Sequence, residues 1–164
     1  MNKFKKYILE NGKYLSSGCD RTAYLLNGKV YKFPYNGDSS QGDFEFDIYH
    51  SLHSKFKKFF PNPKWYGRIV EMDKVEIANM IEGFYSLDGR NNYRLEGEIR
   101  DWSIYSLLEA NGLDTEETID ELYELFEWIE DEGGLPEDLV NNTGNFGLLN
   151  NQIVFVDWGW STME

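Results

Sequence analysis

With 164 residues, 41% hydrophobic and 16% aromatic, the chain is long enough for one domain with an ordinary core and too apolar for disorder. Its formal charge of -13 is lopsided, since the first hundred residues hold 16 basic and 13 acidic side chains, while the last 64 hold 16 acidic and none basic. An acidic half of this kind repels polyanions and argues against direct binding of DNA or RNA. A single cysteine, Cys19, excludes an internal disulfide framework and fits a reduced, cytoplasmic setting. The basic start MNKFKKYILENGK has no apolar stretch of signal-peptide length, and no run approaches a membrane span, so no membrane partner is expected.

From Lys13 the pattern predicts three antiparallel strands. Lys13-Tyr14-Leu15 leads into Ser16-Ser17-Gly18-Cys19-Asp20-Arg21, and Thr22 to Leu26 forms the second strand. Asn27-Gly28 is a two-residue hairpin turn whose central positions both need positive φ, and Lys29 to Phe33 is the third strand. Period-two alternation places Val30, Lys32 and Pro34 on one face and Tyr31 and Phe33 on the other, so Lys32 is a cation in the middle of a sheet.

Gln41 to Phe56 predicts a helix with Phe44, Ile48, Tyr49 and Leu52 on its apolar face and Glu45 beside that face. Pro61-Asn62-Pro63 ends it. Lys64 to Val70 and Val75 to Met80 read as two further strands joined at Glu71 to Lys74, with Ile81-Glu82-Gly83 a connector. Ser103 to Asn111 is a short helix closed by Gly112. Asp114 or Thr115 caps a longer one to about Glu132, with a buried stripe of Ile119, Leu122, Tyr123, Phe126 and Ile129 and carboxylates elsewhere. A loop carrying Asp138 follows, and Phe146 to Leu149 and Gln152 to Val156 form a hairpin around Asn150-Asn151. A carboxylate at the end of that buried strand, Asp157 before Trp158-Gly159, suits oxygen ligation of a hard cation, with Asn145 as a second oxygen donor.

This order of elements resembles the protein kinase-like fold, in particular the small kinase-like proteins of bacteriophages, over about Lys13 to Trp160. The resemblance implies an α+β fold: an N-terminal antiparallel five-stranded sheet with one helix over 1–82, and a reduced, mainly helical C-terminal lobe over 83–164, forming a single minimal domain. It also implies site residues. Ser16, Ser17 and Gly18 would form the phosphate-covering loop, with only Gly18 of the family's usual glycines. Lys32 would pair with the α- and β-phosphates of ATP, and Glu45 would hold Lys32 through an ion pair. The backbone around Glu82 would meet the adenine edge. Asn145 and Asp157, twelve residues apart, would hold Mg²⁺, the latter in Asp157-Trp158-Gly159, which is similar to the family's Asp-Phe-Gly.

Two departures limit the carry-over. The family's catalytic aspartate stands five residues before the metal-binding asparagine, where this chain has Val140. Asp138 is seven before it and serves as the base only if the loop from Val140 to Gly144 bulges by two residues. Only Trp158 to Glu164 follow Asp157, so the usual activation segment has no counterpart. The resemblance thus implies phosphoryl transfer from ATP with Mg²⁺ to a host protein, a basic one by complementary charge. Two other readings stand beside it: a pseudokinase that binds or inhibits a host factor through its acidic half, and an acidic mimic of DNA. His50 and His53 lack a third ligand for zinc, and Cys19 has no activating neighbour in sequence.

Overall fold

A computed structural model describes residues 3–17, 21–34, 41–76, 102–134, 136–140 and 144–158. The chain divides into two compact units, Met1–Lys74 and Val75–Glu164. The fold is α+β.

The first unit is organised by its hairpin turns. Helix α1 (Lys3–Asn11) precedes β1 (Lys13–Ser17), β2 (Arg21–Leu26), β3 (Lys29–Pro34), helix α2 (Gln41–Ser51), a 3₁₀ segment (Ser54–Phe59), β4 (Lys64–Tyr66) and β5 (Ile69–Asp73). The five strands form one antiparallel sheet in the order β1-β2-β3-β5-β4. Asn27 and Gly28 have φ of 51° and 76°, and the turn they make sets the β2–β3 register at Leu26 opposite Lys29. Two consecutive positive φ values match the right-handed twist of the flanking strands.

Tyr31 and Phe33 of β3 are buried with Ile8 of α1 and Ile69 of β5, and Phe4, Leu9, Tyr24 and Leu26 pack against them. Helix α1 therefore covers one face of the sheet. It went unpredicted, although Phe4 and Ile8 have helical spacing and Lys6 and Glu10 form an i,i+4 ion pair at 3.6 Å. The opposite face carries Lys32 and, one strand over, Val70, which is fully buried.

Two boundaries differ from the sequence expectation. The expected helix to Phe56 stops at Ser51, and a separate 3₁₀ segment begins at Ser54, its backbone opened by His53, whose Nδ1 accepts from Lys55 N–H at 3.4 Å. The fourth and fifth strands meet not at Glu71 to Lys74 but at Gly67-Arg68, with Tyr66 opposite Ile69. Gly67 takes φ of 63°, the positive value a two-residue turn needs at its first central position. Glu71 to Asp73 then continue β5, and Asp73 is held at its end by Lys29 and by Asn62 Nδ2 at 2.7 Å. Of the expected strand Val75 to Met80, residues 77–80 lie outside the described residues.

The second unit comprises, among the described residues, α3 (Trp102–Ala110), α4 (Glu116–Asp131), the one-turn α5 (Glu137–Val140), β6 (Phe146–Leu149) and β7 (Gln152–Phe155). Thr115 caps α4, its Oγ1 accepting from Thr118 N–H at 3.2 Å. Leu122, Leu125, Phe126 and Ile129 are the buried stripe, and Phe126 meets Phe155 of β7 at 6.4 Å between ring centroids. Asn150 and Asn151, with φ of 52° and 62°, close the β6–β7 hairpin with Leu149 opposite Gln152. Glu76 bridges Leu148 on the outer edge of β6 through two backbone hydrogen bonds of 3.0 and 3.1 Å. That approach is why residue 147 is glycine: an added Cβ would stand 2.6 Å from both Glu76 O and Val75 Cγ1.

Candidate functional site

In the first unit the chemistry gathers where β2, β3 and α2 meet. The β2–β3 register sets Ala23 opposite Lys32 and Arg21 opposite Pro34, so Arg21, Ala23, Lys32 and Pro34 share one face. This is the face that Tyr31 and Phe33 do not use. Helix α2 brings Glu45, one turn before Ile48, onto it.

Glu45 is fully buried, and the Arg21 and Lys32 side chains around it are 7% and 12% exposed. A lone carboxylate there would be expensive, so it must be paired. The pairing is unequal. Arg21 forks onto it, Nη1 donating to Oε2 at 2.5 Å and Nη2 to Oε1 at 2.6 Å, both charge-assisted hydrogen bonds. Lys32 Nζ stands 3.9 Å from Oε1, close enough for ionic attraction but beyond hydrogen-bond length.

The structure thus brings Lys32 within 3.9 Å of Glu45, the pair that the family resemblance implied, and adds Arg21 as the stronger partner. Arg21 was legible in principle. Once Asn27-Gly28 is accepted as the turn, counting back along β2 puts residue 21 on the face of Lys32 and diagonally two residues away.

The proposed phosphate-covering segment is only partly described. Ser16 and Ser17 are exposed at the end of β1, where Ser17 Oγ shares a 2.8 Å hydrogen bond with Tyr14 Oη, and the β1–β2 register slips between Tyr14 and Ser16. Gly18, Cys19 and Glu82 lie outside the described residues.

In the second unit, the β6–β7 register pairs Phe146 with Phe155. One step beyond, Val156 N–H donates to Asn145 C=O at 2.7 Å, which sets Asn145 opposite Val156 and places Asp157 one residue further along, at the same open end of the hairpin. Asn145 and Asp157 are half-buried, and Trp158 beside them is fully buried. One carboxylate and one amide oxygen suit Mg²⁺, which keeps several waters and takes few protein ligands. Among the described residues no three His, Cys, Asp or Glu side chains gather as a larger cation site.

Asp138 corrects the sequence reading, which had it in a loop: it lies in α5, a helical turn anchored by buried Leu139 and Val140, with Leu139 N–H donating to Pro136 C=O at 3.0 Å. Residues 141–143, on which the expected two-residue bulge depends, lie outside the described residues. His50 and His53 each have a local partner, His50 Nδ1 with Phe46 O at 2.7 Å and His53 as the 3₁₀ cap. His50 also stacks within Phe46, Tyr49 and Trp65.

No protein-family model, curated protein or solved structure matches the chain. Among the described residues no helix is long and apolar enough to cross a membrane.

Proposed function

We propose that the chain is a phosphotransferase of protein kinase-like fold that uses ATP and Mg²⁺. The observation that supports this reading best is the buried carboxylate of Glu45 beside Lys32, since a sheet lysine and a helix glutamate drawn from separate elements have little value for packing and a clear one for holding phosphate. Lys32 would donate to the phosphate oxygens. Glu45 would keep the ammonium from swinging away. Ser16, Ser17 and Gly18 would lie over the phosphates, and the backbone near Glu82 would meet the adenine edge. Asn145 and Asp157 would hold Mg²⁺, which supplies neutralisation of phosphate charge when bound. Asp138 would orient the acceptor hydroxyl and take its proton.

A second reading, a binding protein that acts through its acidic half, draws on α4. Glu116, Glu117, Asp120, Glu124, Glu127 and Asp131 are all exposed there, with no basic residue anywhere in the helix. Such a surface would attract a basic host protein and could imitate a polyanion.

Thermal unfolding with and without millimolar ATP and Mg²⁺, on the wild type, Lys32→Ala and Asp157→Asn, separates the two. A ligand that binds only the native state raises stability by about 2.7 kcal/mol at a hundred times its Kd. A rise in the wild type that both variants lose supports the nucleotide site, and transfer of labelled γ-phosphate that Asp138→Asn abolishes supports catalysis. No rise in any of the three leaves the acidic-surface reading, for which salt-sensitive competition with DNA for a basic partner is the corresponding test.

A further inference from the structure

We infer that the lysine-rich 3₁₀ segment (Ser54–Phe59) docks on the acidic face of α4 in a second copy of this chain, so that the protein associates with itself through opposite charges. The inference uses neither the proposed nucleotide site nor its residues.

Between Asp47 and Glu71 the sequence holds five lysines or arginines and no carboxylate, against the trend of a chain whose net charge is -13. The 3₁₀ geometry sorts this stretch. With three residues per turn, side chains at i and i+3 eclipse, so Phe56 and Phe59 share a buried side while Lys55 and Lys58 share an exposed one. The ammonium groups are seated on rings. Lys55 Nζ stands 4.8 Å from the ring centroid of Phe56, Lys58 Nζ 5.3 Å from that of Phe59, and Lys57 Nζ 5.0 Å from that of Tyr49 on α2. Charges held in this way lose less side-chain freedom when a partner arrives.

The complementary surface is α4, which has eight carboxylates and no basic residue. Glu116, Asp120, Glu124, Glu127 and Asp131 are exposed and three or four residues apart, so they form one stripe opposite the buried Leu122, Leu125, Phe126 and Ile129. Like charges at i and i+4, such as Asp120 and Glu124, disfavour a helix unless cations neutralise them. The two spacings match. Lys55 and Lys58 are about 6 Å apart along a 3₁₀ axis rising about 2.0 Å per residue, and Asp120 and Glu124 are about 6 Å apart along an α-helix rising about 1.5 Å. The net charge does not forbid the contact, because at about 0.1 M salt charges more than about 10 Å apart are screened while touching groups still attract. Each exposed pair contributes little, so the association is weak and belongs at about 0.1–1 mM protein.

Sedimentation equilibrium of the full chain at about 0.1 and 1 M salt is the test. The mass should exceed that of one chain at the lower salt, and the association constant should fall by about tenfold or more at the higher, where the Debye length is about 3 Å. Two charge reversals locate the contact: Lys55→Glu/Lys57→Glu/Lys58→Glu on the segment, and Asp120→Lys/Glu127→Lys/Asp131→Lys on α4. Each alone should stay single, since like charges then face each other, and an equimolar mixture of the two should associate again. Lys3→Glu/Lys6→Glu/Lys13→Glu changes the net charge by the same amount at other exposed lysines and should still associate. Circular dichroism checks that each variant folds; if a reversal does not, Lys55→Gln/Lys58→Gln replaces it and should weaken association severalfold.

A wild type that stays single at both salts, or folded reversals whose mixture fails to associate, overturns the inference. So does a wild type that stays single but binds poly-glutamate or a single-stranded oligonucleotide, which would give the lysines to a foreign acidic partner.

Discussion

Glu45→Gln preserves the volume and shape of the side chain and removes its charge, leaving Arg21 and Lys32 close together in a site from which water is largely excluded. Each hydrogen bond to a charged group contributes about 1.5–3 kcal/mol, and Glu45 accepts two from Arg21. The amide keeps one acceptor oxygen and so retains part of one of them. Against this, the desolvation of the carboxylate is relieved, while the two remaining cations repel. The balance matches the general cost of breaking a buried pair by removing one member, about 3–5 kcal/mol. Urea unfolding followed by tryptophan fluorescence measures it, and the loss should be nearly the same at low salt and in 1 M salt, because a buried pair is poorly screened. A loss under about 1 kcal/mol, or one that disappears in high salt, would show that Glu45 is solvated in solution and would undo the electrostatic account of this site.

Gly147→Ala places a methyl 2.6 Å from Glu76 O and Val75 Cγ1 and should cost about 1–3 kcal/mol, with faster amide exchange at Glu76 and Leu148, whose hydrogen bonds to each other must lengthen. Thr115→Ala removes the α4 cap to Thr118 N–H and should cost about 1 kcal/mol, read by urea unfolding, whereas Thr115→Ser should be nearly silent. Tyr31 has its phenol pushed up from 10.0 to about 12, first by burial and then by its hydrogen bond to Glu71. A raised pKa means that the folded state favours the neutral phenol, so its contribution to stability is complete below pH 10 and is lost as pH rises towards 12. Ultraviolet titration should show Tyr31→Phe removing one late-ionising tyrosine, and an unchanged alkaline limb would contradict the assignment.

Much of the first unit could be read from short-range chemistry. Asn27-Gly28 and Asn150-Asn151 are turn signals because few other residues accept positive φ, and each fixed the register of its hairpin. Register then fixed which side chains share a face, which is how Lys32 could be separated from Tyr31 and Phe33, and how Asn145 and Asp157 came to the same hairpin end. Thr115 and most of the α4 stripe were legible for the same reason, since capping and helical period are local, but Ile119 and Tyr123 are only half-buried and Leu125 instead joins Leu122, Phe126 and Ile129 inside.

What failed was local signal of nearly equal strength for two answers. Glu71 to Lys74 reads as a turn and Lys64 to Val70 as one strand, yet the chain turns at Gly67-Arg68, and pairing of β5 with β3 seats Glu71 opposite Tyr31 and Asp73 opposite Lys29. Helix α1 has the spacing of a short amphipathic helix, but a nine-residue segment is marginal alone and gains its stability by packing Phe4, Ile8 and Leu9 on the sheet.

The sequence by itself determined the Asn27-Gly28 and Asn150-Asn151 turns with their hairpin registers, the capped helix and the face on which Lys32 lies, because each depends on φ preferences or on periodicity within a few residues. Only the tertiary structure decided that Glu45 belongs first to Arg21. Those residues are 24 apart in sequence, on different elements, and the choice between two cations for one carboxylate rests on donor geometry in a buried site, at distances of 2.5 and 2.6 Å against 3.9 Å.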